Sequence, residues 1–460
     1  DEETTTVRTV YGALRLAARG RSETLRFPDA VSMENLEFRL AFALWRLETG
    51  RRPLVAVASD APRLSPAEAW DLQQAGFTPP SGADVYGVAR RLLEESGYRV
   101  VHVNPRDPRP PESPDAFLWL QPRRDVSGMY DWLARYLHRG GRAFLAAQHF
   151  NIQARQYRGS GFKVVYWPQP QFPDVDLLYF PDLGIEMVRE VLFDEWKTRV
   201  AAETQVNRAY ARPDLEAQTS ALPFVIRASA ANFSEDSPIT RGLGDQAFVW
   251  GAFVRTDEAK LRALGLRAKP LITTSARTWT FAWKGRWLPD EVLAEPPRGE
   301  GGELAWLGKL PLAVEVEGDF PEPYEPLRIR EKIFPGATSE PAATKPAFSS
   351  AGPGAPGRLL LVGCSEMFKN HRVLDPEFRA DHLLLNAVAS LALPEDLAEI
   401  AARRPESRGF DFVEPAARLR WRGIVLAGFP AALALFGLLR FAARRRPTWV
   451  AAIGARGATP

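Results

Sequence analysis

Apolar and polar positions change rhythm several times along this chain, and each change marks an element. Val7–Leu16 and Ser22–Phe27 are β-rich stretches on either side of Arg19-Gly20, which predicts a hairpin. From Ser32 to Thr49 the period becomes helical. Ser32 supplies a cap, Met33, Leu36, Leu40, Leu44 and Leu47 form one apolar stripe, and Gly50 ends the helix. Leu54–Ser59 is then a short run of the kind buried on both faces. The spacing next predicts a helix over Val85–Ser96 ended by Gly97, strands at Arg99–Val103 and Ala116–Leu120, a helix over Ser127–Arg139 stopped by Gly140-Gly141, and a strand at Arg142–Ala146. Strands alternating with helices at this interval argue for an α/β fold with a doubly wound, mostly parallel sheet.

The middle of the chain is less regular, and reads as β-rich insertions. Ile185–Phe193 has a helical look. Pro223–Ala228, Ala247–Val254, Leu271–Ser275 and Leu312–Glu317 read as strands, and Glu295–Glu303 as a Pro/Gly-rich loop. Pro335–Gly357 is poor in large apolar residues and rich in Pro, Ala, Gly and Ser, the composition of a flexible excursion. Leu359–Val362 and a helix over Ala380–Leu391, stopped by Pro394, return to the sheet pattern.

The last apolar run differs from all the others. No polar residue lies between Gly423 and Leu439, and these seventeen positions span roughly 26 Å as a helix. Phe441-Ala442-Ala443 lengthen the span past a snorkelling Arg440, so that 423–443 predicts one C-terminal transmembrane helix. Trp421 and Arg422 anchor one side, Arg444-Arg445-Arg446 the other, and Pro430 is tolerated in lipid. Gly423, Ala427, Gly428, Ala431 and Ala434 give the helix small-residue faces, the kind that let helices approach closely in a bilayer. Basic residues occur on both sides, with a lean toward a cytoplasmic tail at 444–460. The organisation expected is therefore a hairpin and helix over 1–50 that end an upstream domain, an α/β domain over 51–400, a polar juxtamembrane segment at 401–422, the span, and the tail. A large domain ahead of one C-terminal span needs an export element upstream, so the start at Asp1 reads as a start inside a longer chain.

Composition narrows the chemistry. Apolar residues at 45% and charged residues at 25% are ordinary for a globular chain, and a net charge of +3 gives no signal for nucleic acid. One cysteine excludes an intramolecular disulfide and a cysteine-ligated zinc site. The sequence contains no GxxxxGK[ST] loop for ATP or GTP and no GxSxG elbow, and Gly159-Ser160-Gly161 lacks the rest of a dinucleotide fingerprint. No cofactor is expected. Cys364, just after a strand, is the one candidate nucleophile, with His102, His138, His149, His371 and His382 as bases to weigh. None of the five stands in a supporting pattern, so Cys364 reads as a small packed residue in a turn. His371, Asp375, Asp381 and His382 are too scattered for a metal site and read as a solvated loop. Trp279, Trp283 and Trp287 form an aromatic ladder in a stretch whose β-branched and Gly content suggests a strand and turn. Such ladders are core more often than surface, and the alternative is a face for a partner or a glycan.

The order of these segments resembles the GldG-like auxiliary component of ABC-2 type transporters, a family named after gliding motility. Asn35-Leu36-Glu37-Phe38 running to Arg46-Leu47 is similar to its helix before the first strand, and Pro53–Ala58 to that strand. Leu133–Leu145 resembles its helix–GG–strand segment. Asn232–Gly242, Leu271–Trp279, Leu310–Val316, Leu360–Phe368 and Leu384–Leu391 follow in the family's order, and an arginine-flanked span closes both. Cys364 stands where the family pattern carries an acid. The resemblance implies a non-catalytic, extracytoplasmic α/β domain at the bacterial inner membrane, beside an ABC permease and its separate ATPase. It implies no catalytic residues. Two other readings compete: an envelope glycan or peptidoglycan binder using the tryptophans, and an amidotransferase-like enzyme using Cys364.

Overall fold

The computed structural model describes residues 12–27, 35–59, 70, 74, 84–105, 109–111, 113–122, 127–156, 164–173, 175, 180–199, 221–299, 301–322, 356–403 and 420–444. Two compact units divide the chain, Asp1–Arg408 and Gly409–Pro460. The Pro335–Ala355 excursion and most of the juxtamembrane segment and tail lie outside the described residues.

The first unit opens with a hairpin of β1 (Gly12–Ala18) and β2 (Arg21–Phe27), paired from Gly12↔Phe27 to Ala18↔Arg21. Arg19 and Gly20 both take positive φ, 50° and 74°, as the tight two-residue turn matching the strand twist requires. Helix α1 (Leu36–Thr49) follows and ends at Gly50 in the left-handed conformation. Its buried face is Phe38, Phe42, Ala43, Arg46 and Leu47, whereas Leu44 of the expected stripe is half exposed. The aromatic positions set the rotation: Phe38 stacks on Phe42, and Phe42 meets Tyr98 at 5.1 Å. Arg46 is carried inward with them and is held by an ion pair to Glu23. Helix α1 thus contributes Phe38 and Phe42 to a buried cluster of this unit.

The α/β alternation follows the sequence pattern closely: β3 (Leu54–Ser59), α2 (Gly87–Glu95), β4 (Arg99–Val103), β5 (Ala116–Leu120), α3 (Ser127–His138) and β6 (Arg142–Ala146). The irregular middle is built of short antiparallel pairs. They are β7 (Phe150–Gln156) with β8 (Val164–Pro170), β9 (Ile185–Met187) with β14 (Val254–Thr256), β10 (Val191–Asp194) with β16 (Thr278–Phe281), and β11 (Lys197–Thr198) with β12 (Leu222–Ala228) and β13 (Gln246–Val249). The helical expectation for Ile185–Phe193 fails here. Ile185, Met187, Val191 and Phe193 are drawn into two separate ribbons whose partners lie far along the chain. The run Ala247–Val254 is also not one strand, because Trp250 at φ 58° breaks it and sends its halves to different ribbons.

β15 (Leu266–Thr273), β17 (Pro311–Gly318) and β18 (Gly357–Val362) complete a seven-stranded sheet in the order β15-β17-β18-β6-β5-β3-β4. The five strands from β18 to β4 are mutually parallel, while at one side β17 runs antiparallel to β18 and β15 antiparallel to β17. Pro270 and charged Arg267 and Lys269 sit on the β15 edge, where they discourage further strand pairing. The unbroken apolar strands are buried on both faces. Leu118, Leu120, Leu360 and Val362 meet α1, α2 and the helices α7 (Ala380–Ala392) and α8 (Glu395–Ala402), taking α4 as Phe180–Leu183, α5 as Glu258–Ala263 and α6 as Asp290–Ala294. Phe117, Trp119, Leu359 and Leu361 meet Met129, Tyr130, Leu133 and Leu137 of α3. A third cluster, Phe150, Ile152, Phe193, Phe224 and Trp279 among its members, holds the ribbons.

In the second unit, a helix over Arg420–Phe441 has a mean hydropathy of 2.0, and none of its apolar window is buried within the chain. Ile424–Gly428 is a π turn leading into α9 (Phe429–Arg444). Pro430 explains the turn: it lacks an N–H, and its ring crowds the carbonyl one turn back, so the helix widens there.

Candidate functional site

In open α/β sheets the carboxyl ends of the parallel strands are where ligands are usually held. Here that edge is occupied by the protein's own polar side chains. β5 runs into Gln121, held at φ 53°, β6 into Gln148 and His149, and β18 into Gly363-Cys364-Ser365-Glu366. Ser365 Oγ donates to Gln121 Oε1 at 2.5 Å, and Gln121 Nε2 donates to the Gln148 carbonyl at 3.2 Å. Gln148 Oε1 accepts the Ser365 and Glu366 backbone N–H groups at 3.0 and 3.2 Å, and its Nε2 donates to Asn151 Oδ1 at 2.6 Å. Gln121, Gln148, Ser365 and Glu366 are all buried, so the network ties three strand ends together. Nothing in the sequence pattern marked the two glutamines, because their partners are contributed by distant strands.

Cys364 lies in this knot and is fully buried. Its thiol donates to the Val249 carbonyl at 3.3 Å, and burial pushes its pKa up to about 12. The five histidines are dispersed. His149 Nε2 sits 2.8 Å from the Met187 carbonyl, His138 Nδ1 2.9 Å from that of Phe320, and His102 Nε2 3.3 Å from Ser59 Oγ. His371 Nε2 lies 3.6 Å from Glu366 Oε1, and His382 lies beside Asp381. Glu366 is a buried carboxylate enclosed by bases, with Lys369 Nζ at 2.7 Å and Arg372 Nε at 3.3 Å. Asp381 pairs with Arg379 at 3.0 Å and Asp375 caps the Glu377 N–H at 2.9 Å, so the four residues weighed as metal ligands have separate duties. Among the described residues, no three His, Cys, Asp or Glu side chains form a group that would hold a metal ion.

The opposite, amino edge of the sheet carries a cleft of about 860 Å³ lined in part by Trp45, Asp115, Tyr136, Arg142, Arg358 and Glu395. Its arginines are already engaged. Arg142 donates to the Leu391 carbonyl at 3.0 Å, and Arg358 pairs with Glu315 and donates to the Ser390 carbonyl at 2.7 Å.

The aromatic ladder divides by depth. Trp279 lies on β16, 3% exposed, stacked on Phe193 and donating its indole N–H to the Val292 carbonyl at 2.8 Å. Trp283 and Trp287 follow in the turn and are half-buried. The first packs edge-on against Phe150, and the second lies 6.3 Å from Trp167 of β8. On the C-terminal helix, Gly423, Ala427, Gly428, Ala431 and Ala434 are exposed, as are Leu426, Leu433, Phe436 and Leu439.

A family model described as ABC-type uncharacterized transport system matches residues 52–387. The chain belongs to this family of ABC transport auxiliary proteins. No curated protein matches it. Among solved structures, it is similar to one titled mmIFT52 N-terminal domain, at 11% identity and a TM-score of 0.33, covering 74% of this chain and 98% of that one. The family match starts two residues before β3 and ends within α7, so the auxiliary protein's shared region takes in the whole seven-stranded sheet and the knot at its carboxyl edge. The apolar helix lies beyond the match.

Proposed function

We propose that this auxiliary component is a non-catalytic, membrane-anchored subunit of an ABC-2 type exporter of the GldG-like kind. The observation that carries the reading is a family match spanning the entire sheet in a chain that also has a helix long and apolar enough to cross a bilayer. Its 22 residues reach about 33 Å, enough for the hydrocarbon core. Residues 423–443 anchor the protein in the bacterial inner membrane, the α/β domain stands on the extracytoplasmic side, and the basic tail at 444–460 faces the cytoplasm. Transport energy comes from a separate ATPase, and the anchor packs against the permease through its small-residue face. The domain binds substrate, permease or an envelope partner. A non-catalytic role is supported by the carboxyl edge, where the polar groups satisfy one another, and by a thiol that burial keeps protonated.

Affinity purification of the full chain from membranes tests this. The permease and ATPase are expected to co-purify at fixed ratio. Recovery of the chain alone under conditions that keep other transporters assembled would sink the proposal.

A further inference from the structure

We draw no further inference here: the strongest candidate, the cleft at the amino edge of the seven-stranded sheet beside the last turn of α7, has Arg142 and Arg358 already engaged with the protein's own carbonyl and carboxylate groups, and nothing in the structure shows what covers it.

Discussion

At the scale of single residues, neighbouring positions after β18 have opposite tolerances. Gly363 is required by close approach: a Cβ there would meet the Ala252 carbonyl oxygen at 1.8 Å, and that same segment donates the Ala252 N–H to the Gly363 carbonyl at 2.6 Å. Gly363→Ala is therefore expected to destabilise the protein by about 3 kcal/mol, since neither backbone can move without breaking the sheet edge. A denaturation midpoint equal to wild type would contradict this. Cys364→Ala loses only a small packed side chain, about 1 kcal/mol, and should leave function in the cell intact. Abolished function in a normally folded Cys364→Ala protein would show that the thiol does chemistry. Asp194 supplies a pH dependence. Burial raises its carboxyl to about 6, while bonds from Ser275 and the Trp196 N–H pull it down. A folded value above the unfolded one means that the native state binds the proton more tightly. Stability from this group is therefore present below about pH 4 and lost as pH rises toward and through 6. Asp194→Asn should remove that slope from a melting-temperature profile between pH 4 and 7, a difference of up to about 3 kcal/mol for two units. A variant with the wild-type slope would assign the dependence elsewhere.

At the scale of elements, the C-terminal helix carries the sharpest test. Gly428 ends the π turn and Ala431 follows Pro430 in the first turn of α9, and both present small side chains. If this stretch packs against a permease, Gly428→Leu with Ala431→Leu should dissociate the complex while the circular dichroism of the α/β unit stays unchanged. Intact complexes with continued transport would reduce the helix to a tether. Elements also show where local pattern was enough. β5 and β6 lie where the spacing put them, because a parallel strand buried on both faces needs an unbroken apolar run, and Pro114 and Gly140-Gly141 stand before them. For α1 the existence and the Gly50 stop were readable but the buried face was not, since Phe38 and Phe42 outweigh the leucines once Tyr98 is beside them.

At the scale of the whole molecule, the two-unit division makes a physical prediction. Asp1–Arg408 has three buried clusters of its own, whereas the helix over Arg420–Phe441 has none of its apolar surface covered. A chain ending at Arg408 should stay in solution after alkaline carbonate extraction, and the full chain should stay in the pellet. Each apolar CH₂ left in water costs about 0.8 kcal/mol, so release of the full chain as a soluble monomer would exclude the anchor.

The sequence by itself determined the α/β class, most strands of the parallel sheet, the polar balance that argues against nucleic acid, and the terminal apolar helix. These depend on periodicity and composition over short windows, which local physics sets. It also carried the order of segments by which the family is known. Only the tertiary structure decided that the last strand, β18, lies inside the sheet between β6 and an antiparallel β17, because pairing over such separations is chosen by burial and not by neighbours. It alone converted Ile185–Phe193 into two ribbons and sent Trp279 to the core. The bonds of the two glutamines at the carboxyl edge and the Trp167–Trp287 ring contact could not be seen in any window, since each is made between distant segments, and a side chain's face is fixed only when its partner strand is.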